Sequence, residues 1–547
     1  MNTEAQKAGR LRPCVIFYII LAAAAVIFPT IFFVSGQKEA GVGFLFWCCV
    51  VLGLFLSRPS SLLHKVRTDN MGVWGRVLTL VLLIATIAVC ILPMSLSPYW
   101  NGEIPGHRNQ YEKLAESILD GHVYLDYGDD TSALEALENP YDPAERDKAG
   151  LIPGIDYRWD HVWYNSHYYM YFGVVPVFLL FIPFRLITGQ SLTTYHATQV
   201  FVAAAIIGFF VLFYLLAKTF FPKMSLGTYL ALSCAFSILS FWYSTSAPAL
   251  YCTAITSAIC MEIWSLYFFF RAVYAEQKEN RQILMAGIGA LFGALAFGCR
   301  PPIALVNIIV LPLLYVFLRQ RKFSTRLLGK LALAAMPYFV IGAALMYYNY
   351  IRFGNPFEFG QTYQLTVADQ TQYSSFADAF DLSKQLNGIL ENFLGLGQFK
   401  SEFPYVRYSG ALINFPILCL SVGIIRPSVF GQIKEKKLLP AVIALFLLPL
   451  IITFIDVLWS PYLMERYRLD IYFIMSILCF MIVGFWYNSV EPQKQNAFGC
   501  FIMAASIFTA IYAFILFCVP YDVNAAQQCT GMSENIEQAL FFWRYIK

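Results

Sequence analysis

A carboxylate held beside an acceptor hydroxyl can take its proton during group transfer. The stretch from Pro98 to Tyr168 offers fourteen Asp and Glu against five Lys and Arg. Its candidate acids are Glu103, Glu112, Glu116, Asp126, Asp156 and Asp160. The chemistry needs one or two of them, and the others read as a solvated acidic surface. Asp160 stands apart because it lies between Trp159 and Trp163, just before an apolar segment interrupted by Gly173, Pro176 and Pro183. That context puts it at a membrane surface, where a lipid head group would be. His107, His122, His161 and His167 share the stretch, but their spacing matches no metal-ligand pattern. The thirteen Cys form no CxxC or Cys/His cluster. No metal and no cofactor are expected.

The complementary charges are arginines at the ends of apolar runs. Arg300 closes FGCRPP, Arg352 follows YYNYI, and Arg466 and Arg468 lie in MERYRLD. A lone arginine at a membrane edge can simply snorkel. Three such sites on one face, opposite an acidic loop, instead suggest a phosphate pocket built from Arg300, Arg352 and Arg466, because the guanidinium fork matches phosphate oxygens. Trp159, Trp163, Tyr168 and Tyr169 are the expected sugar or acceptor contacts, although interfacial aromatic belts have the same composition.

These groups have to be positioned by helices in lipid. The 547 residues are 58% hydrophobic and 13% charged, with mean hydropathy +0.58. That excludes an ordinary soluble domain and gives an all-α polytopic membrane protein. Thirteen spans are expected, at 14–35, 42–57, 75–97, 195–217, 225–243, 248–272, 282–299, 302–318, 327–351, 408–425, 438–457, 468–487 and 495–519. The first reads as a signal anchor behind Lys7, Arg10 and Arg12. Seven short segments hold 22 of the 38 Lys and Arg. All seven fall on one side provided that Tyr169 to Ile187 does not cross, so that piece reads as re-entrant or interfacial. The positive-inside rule then makes the N-terminus cytoplasmic and the C-terminus and large loops extracytoplasmic. The expected organisation is a helix pair at 1–74, a core at 75–490 with outer loops 98–190 and 353–407, and a last span with its tail at 491–547. Residues 456–467 add a short outer loop. Leu114, Ala115, Ile118 and Leu119 predict a short amphipathic helix over Gln110 to Leu119, lying on the membrane. No internal repeat is visible, which weighs against an inverted-repeat transporter.

Four phrases carry a resemblance, and together they lie within residues 75–490. DHVWYNSHYYMYFGVVPVFLLFIPF, GALAFGCRPPIAL, YNYIRFGNPFEFG and MERYRLD follow the order of motifs in the GT-C fold membrane glycosyltransferases, the group that includes the protein mannosyltransferases and the aminoarabinose transferase. The chain resembles them in an acidic residue on the first loop, an aromatic-Gly-Pro re-entrant piece, an Arg-Pro turn and a late Arg-Tyr. Many members have Asp directly before the loop's first Tyr. Here the sequence is Asn109-Gln110-Tyr111, and an amide cannot serve as base. Either Glu103 or Glu112 substitutes, or Asp160 carries the role, or activity is lost. The first two spans (14–57) look like an addition before the family's usual first helix.

The resemblance implies a polyprenyl-phosphate sugar donor, transfer with inversion to a cell-envelope lipid or glycan acceptor, and no nucleic-acid partner. The rival readings are a flippase or transporter of lipid-linked envelope intermediates, for which mid-membrane Glu262 is the main sign, and a glycan polymerase or ligase.

Overall fold

The computed structural model describes residues 2–97, 109–248, 250–322, 324–373, 376–460, 463–522 and 524–545. Glu103 and His107 lie outside the described residues. Among the described residues, twelve helices are long and apolar enough to cross a membrane, or thirteen if one bent pair counts as a span. The chain is thus a multi-pass, all-α membrane protein.

The spans sort by what surrounds them. Leu226–Ser246, Leu250–Ala275 and Glu465–Ser489 are central, with 83%, 83% and 94% of their apolar windows buried. Small side chains let them approach closely: Ser233, Ser237, Ser240 and Ser244 form a buried row along the first. Phe213 and Phe480 stack at 4.1 Å between Thr194–Phe220 and Glu465–Ser489. Val15–Val34 and Thr325–Phe353, each 11% buried, form the lipid-facing rim.

Hydrogen bonds between loops define two ends of the bundle. On one end Thr68 N donates to Met224 O (3.1 Å), Lys223 Nζ to Asn488 O (3.0 Å) and Gln432 Nε2 to Ser489 Oγ (2.6 Å). This is the end of the basic segments, and the stack of Phe17 on Phe55 (3.7 Å) brings the start of the first span there too. On the other end the two long loops are tied together. Arg146, fully buried, donates to Pro140 O and Thr366 O, both at 2.6 Å, and Asn139 Nδ2 donates to Asp369 at 3.0 Å.

The segment after Tyr169 does not cross. It forms a π-turn at Val177–Phe181 and a helix at Ile182–Thr188, about 18 Å in all at helical rise, against a core of roughly 30 Å. Gly173 seats it. A Cβ there would meet the carbonyl oxygens of Gly298 and Cys299 at 2.3 Å, and Val175 N donates to Gly298 O (3.1 Å). The re-entrant piece therefore rests on the turn that carries Arg300. Gly173→Ala is expected to destabilise the protein by about 2 kcal/mol or more, because the neighbouring atoms are backbone and cannot yield. The check is the thermal midpoint in detergent, with Ala substituted at exposed Gly329, where a Cβ meets nothing, as control.

Four features depart from expectation. The span expected at 408–425 is a short helix, Ala411–Asn414, and a 3₁₀ stretch, Pro416–Ile425, bent by 77° from Pro427–Glu435. Pro416 and Pro427 each remove an N–H and open a new helical segment. A two-stranded hairpin, β1 (Val162–Tyr164) and β2 (His167–Tyr169), interrupts the all-helical pattern. It turns through Asn165 and Ser166, both left-handed at φ 46° and 63°, as a two-residue hairpin loop requires. The tail folds back as helix Thr530–Leu540 against Lys38–Ser57, with Trp47 Nε1 donating to Leu540 O at 2.8 Å. Helix Gln110–Leu119 forms as expected, but it buries Tyr111, Leu114 and Ala115 against protein, with Tyr111 stacked on Phe181 (5.3 Å).

Candidate active site

Asp160 is held by its backbone. Its N–H donates to Leu365 O (2.9 Å), and its carbonyl accepts from Gln110 Nε2 (3.1 Å). It is 8% exposed and left-handed, with φ 56°. Asp is among the few non-Gly residues that tolerate this region, and such strain concentrates at functional positions. Oδ2 accepts a hydrogen bond from the Tyr251 hydroxyl, at the start of Leu250–Ala275.

From there the side chains form a chain. The Arg466 guanidinium lies 3.9 Å from the centre of the Tyr251 ring, a cation–π contact, and pairs with Asp522 at 3.6 Å. Tyr467 follows, with the Arg300 guanidinium 5.3 Å from its ring centre. Arg300 gives Nε and Nη2 to Asp470 Oδ2 at 2.7 and 2.6 Å, and Asp456 lies 3.9 Å from Nη2. The Tyr171 phenol shares this environment. Burial pushes it up to about 12, Tyr467 adds to the rise, Arg300 opposes it, and Asp160 and Asp456 push it further. It is a neutral donor at physiological pH. Asp160, Arg466 and Arg300 are therefore three neighbours on one surface, linked by Tyr251 and Tyr467.

The other expected residues are elsewhere. Arg352 is 6% exposed and donates to Met170 O (3.0 Å) and Asn349 Oδ1 (2.6 Å), between the Tyr348 and Phe353 rings at 4.1 and 4.6 Å. It braces the backbone just after β2 against the end of its own span. Trp163, Tyr168 and Tyr169 are 7%, 4% and 8% exposed. The hairpin turns Trp163 and Tyr168 into the loop's own core and packs Tyr169, on its opposite face, against Phe353 (5.5 Å), so they present no open face for a sugar. Trp159 is half-buried, and its carbonyl accepts from His161 Nδ1 (2.9 Å).

Glu112 is engaged with a helix start. Its Oε1 accepts from Thr194 N (2.6 Å) and from the Thr194 hydroxyl (2.7 Å), meeting one of the unpaired N–H groups at the start of Thr194–Phe220. Burial pushes its carboxyl up to about 7, and the bonds from Thr194 oppose the rise. The fold therefore keeps a proton that the unfolded chain releases near 4.5. The stability from the neutral form is complete below that pH and is lost as pH climbs towards 7. The thermal midpoint of the wild type is expected to fall over this window relative to Glu112→Gln, which cannot ionise; parallel curves would contradict the assignment.

His161 is buried, with Nε2 3.0 Å from the Tyr127 hydroxyl, and Tyr127 also reaches Asn109 Oδ1 at 3.5 Å. Asn109 thus joins a structural network beneath Asp160. Among the described residues, no three His, Cys, Asp or Glu side chains converge as metal ligands would. Tyr251 and Asp522 are the site residues that sequence reading missed, and Tyr467 entered it only as the second residue of the late Arg-Tyr. Asp456 and Asp470 lie near span ends, and nothing in the sequence pairs them with Arg300.

No family model matches the chain, and no curated protein matches it. Two solved structures are similar in arrangement. One is the apo oligosaccharyltransferase of Archaeoglobus fulgidus, 13% identical over 82% of this chain, with a TM-score of 0.45. The match spans 56% of that protein's length. The other is ArnT from Cupriavidus metallidurans bound to undecaprenyl phosphate, 12% identical over 84% of this chain and 76% of that one, with a TM-score of 0.40.

Proposed function

We propose that the chain is a GT-C-type membrane glycosyltransferase that moves a sugar from a polyprenyl-phosphate donor to a cell-envelope acceptor on the extracytoplasmic side. The observation that carries this reading is the row at the acidic end of the bundle: a strained, buried carboxylate, Asp160, one tyrosine ring away from Arg466, with Arg300 beyond. Asp160 takes the proton of the acceptor hydroxyl. The hydroxyl oxygen bonds to the anomeric carbon as the bond from that carbon to the phosphate oxygen breaks. Attack opposite the phosphate inverts the carbon, and polyprenyl phosphate leaves with its negative charge met by Arg466 and Arg300. Tyr251 touches both Asp160 and Arg466, so it sets the distance between acid and phosphate. Asp470 and Asp522 hold the two guanidiniums in place, and the donor phosphate takes the remaining N–H groups. By the positive-inside rule this end is extracytoplasmic and the N-terminus cytoplasmic.

The flippase reading calls for ionisable groups along a path through the bilayer. Glu262 is buried mid-span and bonded to Asn307 Nδ2 (2.5 Å), whereas the charges gather at one end. The purified protein in vesicles, given a panel of polyprenyl-phosphate sugars and an envelope lipid extract, should release free polyprenyl phosphate and glycosylate the extract. Movement of intact donor between leaflets without release would favour the flippase. Consumption of pyrophosphate-linked oligosaccharide alone would favour a polymerase or ligase.

A further inference from the structure

The basic end of the bundle holds a cavity that the transfer reaction does not use. Three span ends meet there: Glu279–Phe297 begins, Pro301–Arg319 finishes, and Thr325–Phe353 begins. Between them is a cavity of about 250 Å³ lined by Arg321, Lys322, Arg326 and Lys330, with Ser324 and Glu279. Four cations face one carboxylate.

Two of the cations are fixed by partners on separate elements. Arg321 stacks on Phe317 (3.7 Å), donates to Phe317 O (3.0 Å), and donates through Nη2 to Gln282 Oε1. Lys330 bonds to Glu279 and to Asn280 Oδ1 (2.8 Å). Lys322 and Arg326 are exposed at the mouth. The 29-residue helix Thr325–Phe353 starts at the cavity, with Ser324 Oγ accepting from Leu327 N at 3.2 Å. Its first N–H groups and dipole favour an anion at the same place as the cations. Near these ends the same three spans carry exposed apolar side chains: Leu284, Tyr315 and Leu328 are 58%, 53% and 52% exposed. Such an apolar collar on the spans, next to a cationic cavity at their ends, is the level at which a phospholipid's acyl chains give way to its head group.

We propose that this cavity binds the phosphodiester head group of an anionic phospholipid from the leaflet on the basic side, with its chains against the Leu284, Tyr315 and Leu328 surface. Arg321 and Lys330 form a preset floor, and Lys322 and Arg326 close over the phosphate. A free phosphate would use the same cations but has no need of the collar.

Native mass spectrometry of the full chain in detergent tests this with dioleoyl phosphatidylglycerol, dioleoyl phosphatidylcholine and inorganic phosphate as probes. The protein should retain phosphatidylglycerol in preference to phosphatidylcholine. The pair Lys322→Gln with Arg326→Gln should weaken that retention about 30-fold, as expected for the loss of two cations at a membrane surface. The pair Lys436→Gln with Lys437→Gln removes equal charge from an exposed turn on the same end and should leave retention unchanged. Equal weakening by both pairs would reduce the effect to general attraction by a basic face and overturn the site. No preference for phosphatidylglycerol, or its full displacement by millimolar inorganic phosphate, would overturn the lipid assignment.

Discussion

Asp160→Asn should slow sugar transfer by about 10²- to 10⁴-fold, the range for removing a positioned general base, without unfolding the protein. Asn has the shape of Asp and tolerates the left-handed backbone at φ 56°. Its amide oxygen can still accept from Tyr251, and the backbone bonds to Leu365 and Gln110 do not involve the side chain. What disappears is the ability to accept a proton. The loss should therefore fall on kcat, with the KM for donor little changed and the thermal midpoint preserved. Asp160→Ala is a poorer probe, because it also strains the turn and strips Tyr251 of its acceptor.

Arg300→Met should act on both stability and donor binding. Asp470 is fully buried and Asp456 nearly so, and Arg300 is the cation paired with both. Removing one partner of a buried ion pair typically costs about 3–5 kcal/mol, because the remaining charge is uncompensated. The double variant Arg300→Met with Asp470→Leu removes the closer and more deeply buried of the two stranded carboxylates and should recover much of the thermal midpoint. It should not recover donor affinity. A lost charge-assisted contact of about 1.5–3 kcal/mol corresponds to a rise in donor KM of roughly 10- to 150-fold. If recovery of the midpoint also restored the KM, Arg300 would be a structural residue alone.

Features carried by local pattern were legible in the sequence. The apolar spacing of Leu114, Ala115, Ile118 and Leu119 gave the helix that forms over Gln110–Leu119, and Gly173, Pro176 and Pro183 marked the broken piece. The asymmetry of Lys and Arg gave the two ends. Features that depend on distant partners were not legible. Tyr251 lies 91 residues from Asp160, and Asp470 lies 170 from Arg300; no spacing rule links them. Arg352 has the same local context as Arg300, a cation at the end of an apolar span, yet burial under Met170 and Asn349 turns it into a brace. Trp163, Tyr168 and Tyr169 look like an exposed aromatic surface until the hairpin at Asn165 and Ser166 folds them inward. Glu112 is as acidic as Asp160 in sequence, and only the approach of Thr194 assigns it to a helix start.

That last contrast leads to the most direct measurement: the rate of polyprenyl phosphate release from its sugar donor by the wild type, Asp160→Asn and Glu112→Gln, compared side by side in the same vesicles. If Asp160 is the base, release is lost in Asp160→Asn and stays within a few-fold of wild type in Glu112→Gln. Loss of release in Glu112→Gln, with Asp160→Asn still active, would contradict the assignment and move the chemistry to the carboxylate in the first turn of helix Gln110–Leu119.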